Sequence, residues 1–302
     1  MIVRWGLEEL PEVLGELAIG RPLLVASHRW DALLEVSDRW TEIPSDRIEV
    51  PPDVDGILAL GGGGAIDTAK AASAASGLSL VSLPTTYSGA EWTDFFGIRT
   101  PERRQVGGGK GARLAAIVYE PKLTLELPPA ESGGTAMNAL AHCVEALYPG
   151  ELDVARRGAA GIDEWLPRVL EDGRDLEARR RLLEATSDAG QALAEHGLYL
   201  GHAMAQAVGG RYGLPHGAMN AICLPAAMRF NAEVVPRAMT ALPVERVEEL
   251  ARLAGFDRLR DFGVPEEKLE ALGAAAAARP GAQANPRPAS AAEIAELFRS
   301  VW

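Results

Sequence analysis

The sequence predicts an α/β protein in two parts. Residues 1–129 read as a Rossmann-like domain on an open, mostly parallel sheet, and residues 130–302 as an all-helical domain. Three observations predict this. Short apolar runs alternate with helical periodicity in the first part, as strand–helix–strand units demand. One of those runs ends in four consecutive glycines before a helix. From "LPPAESGGTAMNAL" onward strand signals stop, while the helical period continues to the end.

The elements follow in order. "LEELPEVLGELA" has helical spacing and leads into "RPLLVAS" (21–27), a short apolar run suited to a strand buried on both faces. "DGILALGGGG" (55–64) is a second strand, followed by the helix "AIDTAKAASAAS". "LSLVSLPTT" (78–86) and "RLAAIVYEP" (113–121) are the third and fourth. The helical part breaks at Pro149–Gly150, at Gly209–Gly210 and in "RPGAQANPRP" (279–288), a helix end with a Pro-rich turn. No internal repeat is visible.

Composition narrows the function. Apolar residues make up 47% and charged residues 24% of the 302, with a formal net charge of −12. That balance argues against a general binder of nucleic acid or anionic membrane, both of which need a basic surface. The apolar runs are too short and interrupted to span a bilayer. The N-terminus carries an acidic amphipathic pattern rather than a secretory leader. Cys143 and Cys223, both in apolar stretches, make a disulfide framework improbable. The expected compartment is the cytoplasm.

Several stretches carry chemistry. In "LALGGGGAIDTAK" (58–70), Gly61, Gly62, Gly63 and Gly64 lie between a strand and a helix N-terminus, where backbone N–H groups and partial positive charge suit a pyrophosphate. The spacing is neither G-x-G-x-x-G nor a P-loop, so a tight strand-to-helix turn is an equal reading. "LPTTYSGAEWTDFFG" (83–97) follows a strand, at the end where open sheets bind ligands; Thr85, Thr86, Tyr87 and Ser88 offer hydrogen bonds there, or simply a hydroxyl-rich turn. "TAMNALAHCVEALY" (135–148) sets Asn138 and His142 four apart on one helix face. "GHAMAQAVGGRYGLPHG" (201–217) sets His202 and His216 on either side of Gly209–Gly210. With His142 from the earlier helix, three histidines converging on one pocket would suit zinc or iron; each alone reads as an ordinary helix histidine. His196 lies off the face of His202 and reads as structural.

The chain resembles the iron-containing (group III) alcohol dehydrogenase superfamily, which shares the dehydroquinate-synthase-like fold. The resemblance runs through "GGGGAIDTAK", "LPTTYSGAEWT", "VYEPKLTLELPP", "AMNALAHCVEALY", "HAMAQAVGGRYGLPHGAMNAICLP" and the terminal "NPRPASAAEIAELFRSVW". Within it, "PTTYSGAEWT", "MNALAHCVEALY" and "NPRP" point to the maleylacetate reductase branch. The resemblance implies an oxidoreductase that uses NADH or NADPH. It places the cofactor on Gly61, Gly62, Gly63, Gly64, Asp67, Thr85, Thr86, Ser88 and Lys110, and the chemistry on His142, His202, His216 and Asn138. Metal-dependent relatives carry Asp where Asn138 stands, so the expectation is no metal, or zinc held by His142, His202 and His216 alone. Two departures stand out: Gln206 replaces a usual histidine, and the segment before "DGILALGGGG" and that after "FNAEVVPRAM" are trimmed. After the first strand come Ser27, His28 and Arg29 rather than an acid, which suits the 2′-phosphate of NADPH.

The implied reaction is reduction of a maleylacetate-type 4-oxo-2-enedioate to 3-oxoadipate in aromatic-compound degradation, on a small dicarboxylate that needs a local cation, for which Arg211 is a candidate. The expected assembly is a homodimer, with no nucleic-acid or membrane partner. A zinc- or iron-dependent alcohol or aldehyde dehydrogenase is the first alternative, and a trimmed homologue that binds nucleotide without redox turnover the second.

Overall fold

The computed structural model describes residues 1–102 and 105–302. It contains two compact units: Met1–Thr86 with Ala90–Glu126, and Tyr87–Gly89 with Leu127–Trp302.

The first unit is built on a six-stranded sheet formed by β1 (Ile2–Trp5), β2 (Pro22–Ala26), β3 (Asp38–Trp40), β4 (Gly56–Gly61), β5 (Ser79–Pro84) and the later Arg113–Tyr119. Between the last two lie β6 (Phe96–Arg99) and β7 (Gln105–Gly109), which pair antiparallel as a separate hairpin, so Arg113–Tyr119 is β8. All pairs of the large sheet are parallel, in the order β1-β8-β5-β4-β2-β3. Alternate side chains divide between its faces. Leu24, Leu58, Leu60, Val81 and Leu83 form one core with Leu10 and Val13 of α1 (Leu10–Glu16). Leu23, Val25, Ile57, Ala59 and Leu80 form the other with Ile66, Ala69 and Ala72 of α2 (Gly63–Ser76). Truncating Leu58 or Ile57 to alanine should cost about 2–5 kcal/mol.

The four expected strands correspond to β2, β4, β5 and β8. Two edge strands lie outside that reading. β1 falls in the segment read as acidic and amphipathic; it is half-buried beside β8, with Trp5 stacked on Tyr119 at 4.7 Å. β3 fills the trimmed segment with only three residues. Gly107–Gly109 belong to β7, where a Cβ on Gly108 would lie 2.9 Å from the Phe96 carbonyl oxygen.

The second unit carries the remaining helices among the described residues: α3 (Pro129–Ala146), α4 (Asp153–Glu171), α5 (Leu176–His196), α6 (Leu200–Tyr212), α7 (His216–Asn231), α8 (Pro236–Ala241), α9 (Val244–Leu253), α10 (Leu269–Ala277), α11 (Pro280–Gln283) and α12 (Ala291–Ser300). Helix α3 is buried from Ala136 to Ala146 and packs against α4, α5 and α7. Asp175 caps α5 by accepting from the Ala178 N–H at 3.0 Å, and Ser290 with Glu293 forms a capping box on α12. The expected break at Gly209–Gly210 is displaced. Helix α6 runs through both glycines and stops at Gly213, which takes φ +67°, with Pro215 beyond it. A glycine in the left-handed region followed by proline is a stronger stop than two glycines in a packed helix. No helix among the described residues is long and apolar enough to cross a membrane.

Candidate active site

In the first unit the glycine run forms the turn from β4 into α2. Gly61 closes the strand at φ +154°, and Gly62 is the N-cap of α2 without any side-chain cap. The first N–H groups of α2, Gly63 and Gly64 among them, are those a helix leaves without intrahelical acceptors. Close approach dictates glycine here: a Cβ on Gly62 would lie 2.7 Å from Thr86 Cγ2. The Thr85 N–H donates to the Gly61 carbonyl at 3.1 Å, and Thr85 and Thr86 are both buried, so the ends of β4 and β5 are tied together. A 14-residue helix with an uncapped, Cβ-free N-terminus fits a nucleotide phosphate.

Asp67, expected at the cofactor, lies in the early part of α2. One of its carboxylate oxygens accepts from the Gly97 N–H and the Arg99 guanidinium, both at 3.2 Å, anchoring the β6–β7 hairpin to α2. Lys70 lies one turn on and is buried. Its ammonium donates to the Ala90 carbonyl, and at 3.1 Å to Thr93 Oγ1 and the Phe95 carbonyl. Lys110 is exposed just past β7. Ser27 precedes the short turn His28–Trp30 without a side-chain cap; His28 pairs with Asp31 at 3.2 Å, and Arg29 lies over the Trp30 ring.

In the second unit the three expected imidazoles come together. His142 from α3 stacks on His202 from α6, with centroids 4.9 Å apart and planes 13° from parallel. His216, at the start of α7, stands 5.9 Å from His202 at a 47° tilt. His202 and His142 are buried, while His216 is exposed, so the cluster grades from sealed to open.

Asn138 sits at the junction. Its amide nitrogen donates to the Ser88 carbonyl at 3.0 Å and lies 3.4 Å from His142 Nε2. Its amide oxygen accepts from Asn220 Nδ2 at 2.7 Å, and the same Asn220 nitrogen is 3.1 Å from His216 Nε2. The Ser88 carbonyl fixes which way Asn138 points, and that fixes Asn220. Both His142 and His216 then accept at Nε2, which places their protons on Nδ1. His202 Nδ1 faces Glu145 at 2.7 Å, so it too carries its proton there. Three buried polar atoms of this cluster have no partner among the described residues: His142 Nδ1, His202 Nε2 and Asn220 Oδ1. They are one donor and two acceptors, which can hydrogen-bond a small polar ligand. Burial, reinforced by His202 and His216, holds His142 well below the usual imidazole range.

Comparison with known proteins decides the family. Residues 133–302 match the C-terminal part of the Fe-containing alcohol dehydrogenase family, and residues 48–119 match its iron-containing alcohol dehydrogenase model. The chain belongs to the iron-containing alcohol dehydrogenase family. A maleylacetate reductase from Pseudomonas knackmussii is 35% identical over 235 residues, 73% of this chain and 67% of that one. The crystal structure of maleylacetate reductase from Agrobacterium tumefaciens superposes with a TM-score of 0.87 at 22% identity, covering 100% of this chain and 95% of its own. A sulfoacetaldehyde reductase from Bifidobacterium kashiwanohense, in complex with NAD+, superposes at 0.84 with 18% identity, over 100% and 96% of the two chains. These two structures show the shared fold.

The family's name speaks of iron, and the donors in this chain fit an ion poorly. Ligand nitrogens must converge on one point about 2 Å away. Here His142 Nε2 and His216 Nε2 face the amide nitrogens of Asn138 and Asn220, and both ends of the Asn138 amide are engaged within the protein. Among the described residues no group of three or more His, Cys, Asp or Glu is arranged to hold a metal. The zinc set expected from His142, His202 and His216 is not such a group among those residues. His202 has the backing carboxylate that metal-binding histidines usually carry.

Residues beyond the expected set complete the site of this family member. Glu145, fully buried, accepts from the Tyr199 N–H at 2.7 Å, the His202 N–H at 3.2 Å and His202 Nδ1. It lies three residues after His142, one turn along the same helix. Asn220 mirrors Asn138: "NALAH" and "HGAMN" are the same i, i+4 pair read in opposite directions. Arg179 on α5, also buried, donates to Tyr87 Oη at 3.2 Å, Ser132 Oγ at 3.4 Å and the Leu127 and Gly173 carbonyls. It holds the segment whose Ser88 carbonyl orients Asn138. Arg211 is exposed, over its neighbour Tyr212.

Proposed function

We propose that this chain is an NAD(P)H-dependent reductase of maleylacetate-type 4-oxo-2-enedioates, forming 3-oxoadipate without a catalytic metal. The observation that carries the proposal is the hydrogen-bond frame of the imidazole cluster. Asn138 stands where a carboxylate ligand would be needed, and its amide is committed to Ser88, His142 and Asn220. The names of the relatives at 30% identity and above support the substrate class.

Gly62, Gly63 and Gly64 with Thr85 and Thr86 would hold the nucleotide, whose reduced nicotinamide supplies hydride to the carbon β to the ketone. This chain then has to manage the charge that grows on the ketone oxygen. The unpartnered His142 Nδ1–H is a neutral, buried donor for that oxygen, and His202 Nε2 is an acceptor beside it. Neutral imidazoles need no proton exchange with water to serve as donors. Exposed His216, linked to Asn220 and Asn138, is the member of the cluster placed to exchange protons with solvent. NADPH is accepted at least as well as NADH, because no acid follows β2 directly and Arg29 is exposed there. A cytoplasmic homodimer completes the reading.

The test is oxidation of NADPH and NADH with maleylacetate beside simple aldehydes, with and without added zinc and iron, together with metal analysis of protein purified without chelator. Turnover of maleylacetate that survives complete metal removal supports the proposal. Turnover restricted to aldehydes, and restored only by a stoichiometric ion, transfers the chain to the metal-dependent alcohol dehydrogenases. Nucleotide binding with no turnover of any substrate removes it from the reductases.

A further inference from the structure

Helix α6 presents more than His202. One turn further along the same side is Gln206, and one turn beyond that Gly210. Over these two lies Arg279, from the short link between α10 and α11. Its guanidinium donates to Gln206 Oε1 and to the Gln206 backbone carbonyl, both at 3.1 Å, and a Cβ on Gly210 would lie 3.7 Å from its Nη2. The chain returns close to α6 again two residues later, where a Cβ on Gly281 would stand 2.8 Å from the Tyr199 carbonyl oxygen. The arginine is therefore held from both ends against the helix that carries the buried imidazole.

Its partners are the unusual feature. The exposed arginines Arg180, Arg181 and Arg299 pair with glutamates, and half-buried Arg246 meets Asp163 and Glu249. Among the described residues, half-buried Arg279 meets only neutral oxygens, and its buried Nε has no acceptor. Burial alone acts on its charge, lowering its pKa, with no acid to offset it. A guanidinium held this way is costly unless an anion completes it, and its planar fork matches a carboxylate in two hydrogen bonds. Gln206 orients the fork while adding no negative charge that would compete.

We infer that Arg279, aligned by Gln206, receives a carboxylate of an anionic substrate on the His202 side of α6. This rests on the dicarboxylate reading above and sharpens it. The cation comes from the Pro-rich segment 279–288 and not from exposed Arg211.

Binding and turnover separate the two readings. Adipate has the six-carbon dicarboxylate skeleton of maleylacetate but neither ketone nor double bond, so it reports binding alone. Calorimetry of the full chain with adipate should show binding that weakens at least about tenfold in Arg279→Met and partly survives in Arg279→Lys, with adipamide binding neither form. In turnover, Arg279→Met should raise KM for maleylacetate about tenfold or more and change kcat far less, since the anchor holds substrate before and during reaction alike. Arg211→Met should leave both unchanged. A folded Arg279→Met protein, shown by an unchanged melting temperature, that binds adipate as tightly as wild type overturns the inference while leaving the reductase reading intact. Arg279-dependent adipate binding in a chain that reduces no oxo-enedioate overturns the reductase reading and keeps the anion site. Should Arg279→Met melt early, Gln206→Leu, which leaves the guanidinium in place but unaligned, must still weaken adipate binding.

Discussion

Glu145 Oε2 lies 2.7 Å from His202 Nδ1, and the same carboxylate accepts the backbone N–H groups of Tyr199 and His202 at the start of α6. One buried anion thus caps a helix and fixes an imidazole tautomer, turning bare Nε2 into the cluster. Glu145→Gln should separate these effects from simple packing, because the new NH₂ group must oppose an N–H donor on one side. We expect a loss of about 2–4 kcal/mol in urea unfolding and a fall of roughly tenfold to a hundredfold in kcat. Nitrogen NMR of histidine-labelled protein should show His202 Nε2 unprotonated in wild type and a mixture of tautomers in the variant. Wild-type kcat with a single tautomer in Glu145→Gln would mean that the carboxylate does not set the imidazole.

His142 ties the site to pH. Its pKa is held below the ordinary value of 6.5, so the unfolded chain takes up a proton first as pH falls. Stability is therefore at its full value above about pH 6.5 and declines below it, by up to about 1.4 kcal/mol per pH unit for this one group. Asp67 and Glu91, whose pKa values burial raises, act with the opposite sign at lower pH, so the comparison must be with a variant. The difference in unfolding free energy between wild type and His142→Gln should shrink from pH 7.5 to pH 5. A difference that is constant over that range would show that His142 is not buried neutral.

How much of this is legible in the sequence follows from burial. β2, β4 and β5 are sealed on both faces, so their sequences are unbroken apolar runs; β1 and β3 are edges, half wet and three or four residues long, and carry no such signal. Asn138, His142 and His202 were visible because helices repeat every 3.6 residues. By the same rule Glu145 and Asn220 were open to view, one turn from His142 and from His216, but a buried glutamate and an asparagine look like ordinary helix residues until their partners are known. Arg179 and Arg279 had no periodic signature. Each reaches its partners across long separations in the chain, which only the packing of α5 and of the α10–α11 link decides.

The glycine turn makes a two-step prediction. Gly62→Ala places a methyl 2.7 Å from Thr86 Cγ2, so it should cost about 1 kcal/mol or more and weaken NADPH binding. Thr86→Ser removes that Cγ2 and keeps the hydroxyl. In the double variant the melting temperature should recover, while the dissociation constant for NADPH, read by fluorescence quenching, should remain raised because the new methyl still occupies the phosphate side of the turn. Recovery of both together would mean that Gly62 serves packing only.

Lys70 is a lysine at 1% exposure surrounded by oxygens: the Ala90 and Phe95 carbonyls and Thr93 Oγ1, with Asp67, Glu91 and Asp94 as its charged neighbours. Lys70→Met keeps the length of the side chain and removes the cation, leaving three acceptors without their donor, Glu91 without its nearby cation and Asp67 with Arg99 alone. The expected cost is about 3–5 kcal/mol at neutral pH. Its pH dependence has a definite sign. Without Lys70, the pKa values of Asp67 and Glu91 must rise beyond the elevation that burial already imposes. A carboxyl whose folded pKa lies above its unfolded one contributes stability that is lost as pH rises through the folded value. Lys70→Met should therefore be closest to wild type near pH 5 and furthest from it near pH 8, measured by urea unfolding at both. An equal deficit at the two pH values would locate the lysine's contribution in its hydrogen bonds to Ala90, Thr93 and Phe95 rather than in its charge.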